Sequence, residues 1–172
     1  MRDQVRALRE AGVEAGALTS GNTEEETKEV FAALDAGRIK LLYMAPERLA
    51  QVLPFCDWIG LDIKAPFSSY EKVTRIPGSG DKARQSAGLV ITSGKDYECR
   101  TTFHPALLSE DDILPVAREL AQMGCKRYAL QMFRSGHCAD KELRDSPVSA
   151  AGISAHLRQT LKSLFPDFIV RE

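Results

Sequence analysis

Apolar residues along this chain recur at two spacings that take turns. Val5 and Leu8 fall on one face of a charged segment, 1–11, that stops at Gly12, which predicts a helix closed by a left-handed glycine. Residues 13–18 then read as a strand. Thr23-Glu-Glu-Glu26 is a capping-box pattern, with Val30, Phe31 and Leu34 forming an apolar stripe up to Gly37, so a second helix follows. Residues 38–44 read as a mostly buried strand and 46–52 as a short, turn-rich helix. The run Trp58 to Ile63 is apolar until its end, where a charge enters, as central parallel strands do at their functional edge.

The second half repeats the alternation. Residues 65–80 hold Pro66, Pro77, Gly78 and Gly80 and read as a long loop of the kind that serves function. A helix over 81–93 closed by Gly94, a strand over 97–103, and a capping signal at Ser109 to Asp112 opening a helix to Met123 and Gly124 come next. A strand over 126–131, a polar stretch over 134–147, a helix over 149–164 and a strand over 168–170 complete the pattern. The fold class expected is α/β: a parallel sheet of about six strands with alternating helices, either a partial barrel or open and doubly wound. The glycines of Ile76 to Asp81 precede a helix but lack the lysine and hydroxyl of a phosphate cradle, and read as a flexible loop.

Composition narrows the function classes. With 172 residues, 44% hydrophobic and 27% charged, the chain has enough apolar material for one or two compact units. Lys plus Arg number 23 against 24 Asp plus Glu, so no global field draws it to nucleic acid or to an anionic membrane. Neither a membrane-spanning run nor a secretory leader is read, and the expected location is cytoplasmic. Cys56, Cys99, Cys125 and Cys138 form neither a CxxC pair nor a disulfide framework, so reduced thiols are expected. His137 and Cys138 are adjacent and point apart on an extended chain. Taken with Cys99 and His104, they make no expected metal-ligand set.

Three segments in residues 1–49 resemble RecQ-type DNA helicases: Met1 to Val5, Ala17 to Ser20 and, most specifically, Leu41-Leu-Tyr-Met-Ala-Pro-Glu-Arg-Leu49. The resemblance implies part of a RecA-like lobe, with Arg2, Lys40 and Arg48 as contacts for nucleic acid. The parts a helicase needs for ATP, GxxxxGKS or GxxxxGKT and the DEAH box, are not found; Asp62 falls near the box position but is followed by Ile63-Lys64-Ala65.

From about residue 50 the chain instead resembles radical-SAM activating enzymes of anaerobic ribonucleoside-triphosphate reductase. The carriers are Asp57 to Pro66, Tyr70 to Thr74, Ser93-Gly94, Tyr97 to Pro105 and Tyr128 to Arg134. The resemblance implies the later strands of a partial barrel whose strand ends face S-adenosylmethionine, with a glycyl-radical reductase subunit as partner. Asp62, Lys64, Arg100, Thr102, His104, Gln131 and Arg134 match its ligand-facing positions. Opposite charges suit an aminocarboxylate. Taken alone, Asp62 and Lys64 read as a strand-end ion pair, His104 as a strand terminator and Arg134 as a solvated charge, while Phe103 and Phe133 read as core.

The resemblance also implies a 4Fe–4S cluster, yet the CxxxCxxC loop that would hold it is not in this sequence. The expectation is therefore a composite: a helicase-like piece over 1–49 and an activase-like half-barrel over 50–172, able to form one continuous sheet because both parents place a short helix at the join. Such a chain is a remnant activating enzyme, inactive alone and with no catalytic residue assigned. A helicase fragment with residual nucleic-acid binding and a functionally silent chimera stand as alternatives.

Overall fold

The structure is a computed structural model that describes residues 2–135, 141–146 and 152–172. The chain divides into two compact units, Met1–Cys56 and Asp57–Glu172. Among the described residues there are six parallel strands, in the number and direction that the alternation implies, but they hydrogen-bond as a pair and a quartet. That division into two sheets is not visible in the apolar pattern.

In the first unit, helices α1 (Arg2–Glu10) and α2 (Glu24–Asp35) accompany strands β1 (Ala15–Leu18) and β2 (Leu41–Met44), and a short helix α3 (Leu49–Val52) follows. The strands pair in parallel from Ala15↔Leu41 to Leu18↔Met44. The capping box forms as read: Thr23 Oγ1 accepts from the Glu26 amide at 3.1 Å and Glu26 Oε2 from the Thr23 amide at 2.8 Å. Gly12 takes φ +80°, the left-handed turn that ends α1.

The second unit holds β3 (Trp58–Asp62), α4 (Tyr70–Thr74), α5 (Ser79–Thr92), β4 (Asp96–Phe103), α6 (Glu110–Gln122), β5 (Arg127–Met132), α7 (Lys141–Asp145), α8 (Ala155–Leu164) and β6 (Asp167–Arg171). The sheet order is β3-β4-β5-β6. Each strand lies beside its predecessor with no reversal, and right-handed crossovers stepping one way put their helices on one face. A doubly wound sheet would need a switch point. Among the described residues the sheet does not close into a barrel.

Alternation along the strands then sorts side chains. Ile63, Cys99, Phe103, Tyr128 and Leu130 enter the core with Ala87 of α5, Val116 and Leu120 of α6, and Leu157 and Leu161 of α8. Each such leucine contributes about 1.5–3 kcal/mol by leaving water.

The segment over 65–80, read as a long loop and as flexible over 76–81, is instead largely helical. A helical turn at Phe67–Ser69 leads into α4, and α5 starts at Ser79. Gly78 takes φ +69° and donates its amide to Glu71 Oε1 at 2.6 Å. Gly80 lies so close to the turn that a Cβ there would stand 2.1 Å from the Phe67 carbonyl oxygen, so only glycine fits. The final helix is seen over Ala155–Leu164, and the polar stretch contains α7. The remainder of residues 134–151, with His137 and Cys138, lies partly outside the described residues.

Candidate functional site

The face of the four-stranded sheet away from these helices is polar. Trp58, Gly60 and Asp62 of β3, Glu98, Arg100 and Thr102 of β4, Ala129 and Gln131 of β5, and Ile169 and Arg171 of β6 share it by parity and register. Asp62 is opposite Arg100, and the two form an ion pair, Arg100 Nε to Asp62 Oδ1, at 2.8 Å. The partner of the Asp62 carboxylate is thus the neighbouring strand's arginine, not Lys64 as the spacing of two suggested.

Gly60 makes this geometry possible. The Arg100 guanidinium lies against its backbone, and a Cβ at position 60 would stand 2.9 Å from Arg100 Cζ. Tyr70 fixes the end of the same strand: its hydroxyl accepts from the Lys64 amide at 3.2 Å and donates to the Asp62 carbonyl at 3.4 Å. Burial raises the Tyr70 pKa, so it stays a neutral donor.

Across the face, Thr102 is opposite Gln131, and Gln131 is opposite Arg171. Arg171 grips Glu98 with both nitrogens at 2.5 and 2.8 Å, and Glu98 is only 5% exposed. The bidentate fork supplies the charge partner that a buried carboxylate requires. Toward the other end of the strands Arg127 pairs with Asp167 at 2.6 Å.

Asp62, Arg100, Thr102 and Gln131 are therefore brought together in one block, with Lys64 exposed just past the end of β3. His104 and Arg134 are engaged elsewhere. His104 is 2% exposed, its Nδ1 accepts from the Ala106 amide at 3.1 Å, and its Nε2 lies 3.1 Å from both the Leu143 carbonyl and Ser146 Oγ. An Nδ1 that accepts leaves the proton on Nε2, so the ring acts as a clamp between the end of β4 and α7. Its ring packs on Phe133 at 4.3 Å between centroids. Arg134 donates to the Glu172 backbone carbonyl.

Gly60, Tyr70, Glu98 and Arg171 are parts of this site that the motifs do not single out. A count of every second residue along each strand places Gly60 and Glu98 on the face. The reach of Arg171 to a residue 73 positions away has no local signal.

Two kinds of known protein match this chain. One is a protein of Methanocaldococcus jannaschii provisionally named a glycyl-radical enzyme activating enzyme, 25% identical over 119 residues, which cover 67% of this chain and 49% of that protein. The others are ATP-dependent DNA helicases RecQ. The Bacillus subtilis helicase is 42% identical over 52 residues and the Haemophilus influenzae one 43% over 49, covering 30% and 28% of this chain. This chain spans about half the length of the first and 9% and 8% of the helicases. No family model matches it. The chain thus shows a distant likeness to an activating enzyme and a short, closer likeness to RecQ helicases.

Among the described residues no group of three or more His, Cys, Asp or Glu side chains is placed to hold a metal ion. The residues present do not fit an iron–sulfur cluster: of the described cysteines, Cys99 and Cys125 point into the core. No described helix is long and apolar enough to cross a membrane.

Proposed function

We propose that the unit over 57–172 is the ligand-facing part of a radical-SAM glycyl-radical activating enzyme, retained in a composite chain and not catalytic by itself. The observation that carries this reading is the polar face of a singly wound sheet on which Asp62, Arg100, Thr102 and Gln131 converge, in a chain with a 25% match to an activating enzyme. These side chains and Lys64 supply both signs of charge and two neutral hydrogen-bonding groups. That set suits the ammonium and carboxylate of an aminocarboxylate such as S-adenosylmethionine. When bound to an intact enzyme of the family, that cofactor and its cluster supply a radical. Here Asp62 and Arg100 would orient the ligand, and Thr102 and Gln131 would bond its polar edge.

The ancestral partner of such a face is a glycyl-radical reductase subunit, and the cytoplasm is the compartment that suits it. Residues 1–49 are read as the helicase-like piece, favoured by the identities of 42% and 43%. A residual nucleic-acid contact there would weaken steeply with added salt.

Equilibrium dialysis of the full chain against labelled S-adenosylmethionine tests the ligand reading. Saturable binding that disappears in Asp62→Ala, with an unchanged unfolding curve, is expected. Absence of binding by the unaltered chain overturns it.

A further inference from the structure

The first unit has a cavity of its own. Helices α1 and α2 flank a groove of about 420 Å³ beside β1, within the size range of small-molecule sites. Its floor is apolar, made by Val5, Ala17 and Val30. Its walls carry opposite charges: Arg6 and Arg9, three residues apart, stand on one face of α1, and Glu26 and Glu29, with the same spacing, on one face of α2. Much of this polar lining is anchored. Arg9 Nε donates to the Ala15 carbonyl at 2.7 Å, which commits one nitrogen and leaves both Nη groups to the cavity. Asn22 Nδ2 donates to the Ala17 carbonyl at 3.1 Å, while its Oδ1 accepts from the Thr19 amide at 2.8 Å, so this amide holds the floor to the turn after β1. Glu29, by contrast, is exposed and, among the described residues, forms no hydrogen bond or ion pair. Arg9 and Glu29 therefore line one cavity with opposite charges that do not pair with each other.

We infer that this groove binds a small zwitterion, an α-amino acid with an apolar side chain. Arg9 takes the carboxylate through its free Nη edge, Glu29 takes the ammonium, and the side chain covers Val5 and Val30. Both ligand charges then leave bulk water together, each with a partner. A ligand with a single charge fits worse, because an anion leaves Glu29 unmatched and a cation leaves Arg9 unmatched. Glu10, also in the lining, tips the groove to a net negative charge, so a purely anionic ligand is the least favoured. The groove shares no residue with the polar face of the four-stranded sheet, and either site can fail without the other.

The test titrates L-leucine into the full chain labelled with nitrogen-15 and follows the backbone amide shifts. Saturable shifts centred on Val5, Ala17, Asn22 and Val30 are expected. Leucinamide and 4-methylpentanoate, each lacking one of the two charges, should bind about tenfold more weakly, the loss that goes with one charge-assisted contact. Glu29→Gln should weaken leucine by a similar factor and leave the unfolding curve unchanged, because the carboxylate has no contact within the fold to lose. Arg9→Gln should weaken it as well. Absence of saturable shifts, equal binding of leucine and leucinamide, or binding at full strength by Glu29→Gln overturns the site. Shifts centred on Asp62 and Arg100 would place the zwitterion on the polar face instead and overturn it too.

Discussion

The two faces of the four-stranded sheet use the same strands to opposite ends. Along β4, Cys99, Thr101 and Phe103 are buried under helices, whereas Glu98, Arg100 and Thr102 stand between them on the other side. The first face is held by apolar area, which is non-directional and tolerant of partner. The second is held by paired charges: Arg100 with Asp62, Arg171 with Glu98, Arg127 with Asp167. Charged groups of that kind add little stability when exposed and a great deal of cost when left unpaired in a buried place. The difference teaches that apolar packing and charge pairing are separable in this unit, one residue in two serving each.

The separation is broken most forcibly from the apolar side. Leu130→Ala, at a fully buried position of β5, is expected to cost about 2–5 kcal/mol, read as a large fall in urea midpoint. On the polar side the largest effect belongs to Arg171→Ala, which strands the buried Glu98 carboxylate and is expected to cost roughly 2–3 kcal/mol. Glu98→Gln keeps a hydrogen-bonding group in place and should cost about 1 kcal/mol. Equal and negligible costs for the two would show that the pair is not shielded from water.

The helices over the apolar face have their own anchorage. Ser109 and Asp112 form the capping box of α6, with Asp112 Oδ2 accepting from the Ser109 amide at 2.8 Å and from its hydroxyl at 2.7 Å. Those bonds lower the Asp112 pKa. A carboxyl whose folded pKa lies below its unfolded value of about 4 stabilises the fold above that pH, and the benefit is lost as pH falls through the folded value. Asp112→Asn should therefore cost about 1 kcal/mol near neutral pH and progressively less below about pH 4, measured by urea unfolding at several pH values. A constant difference across that window would remove the carboxylate from the account.

Much of this division is legible in the sequence, because it rests on local rules. The capping boxes at Thr23 and Ser109, the glycine that ends α1 and the period-two strands are written in neighbouring residues. Asp62, Arg100, Thr102 and Gln131 are reached through motif resemblance, and strand parity agrees with them. What the sequence does not disclose depends on register and on distant packing. Arg100 replaces Lys64 as the partner of Asp62 because it comes from the next strand. His104 looks like a ligand contact in a motif and is a buried clamp because Ala106, Leu143 and Ser146 occupy its nitrogens. Two prolines and two glycines disguise 65–80 as a loop, although Gly80 is there to let α5 close on Phe67. The split of six strands into two sheets likewise leaves no mark on the alternation.

The smallest expected effect sharpens the comparison most. Asp62 is exposed and Arg100 part-buried, so their ion pair competes with water and salt. A double-mutant cycle of Asp62→Asn and Arg100→Gln should give a coupling of about 0.2–1 kcal/mol, shrinking as salt is added. Gly60→Ala should give a loss of under about 1 kcal/mol, because the group that must move is the far end of a flexible arginine and not backbone. If the polar face is open to solvent, the coupling vanishes in molar salt and Gly60→Ala removes it in dilute salt as well, since a displaced guanidinium no longer reaches the carboxylate. A coupling of several kcal/mol that salt leaves unchanged would instead mean that the face is dry, and the contrast between a face held by apolar area and a face held by solvent-screened charge pairs would have to be given up.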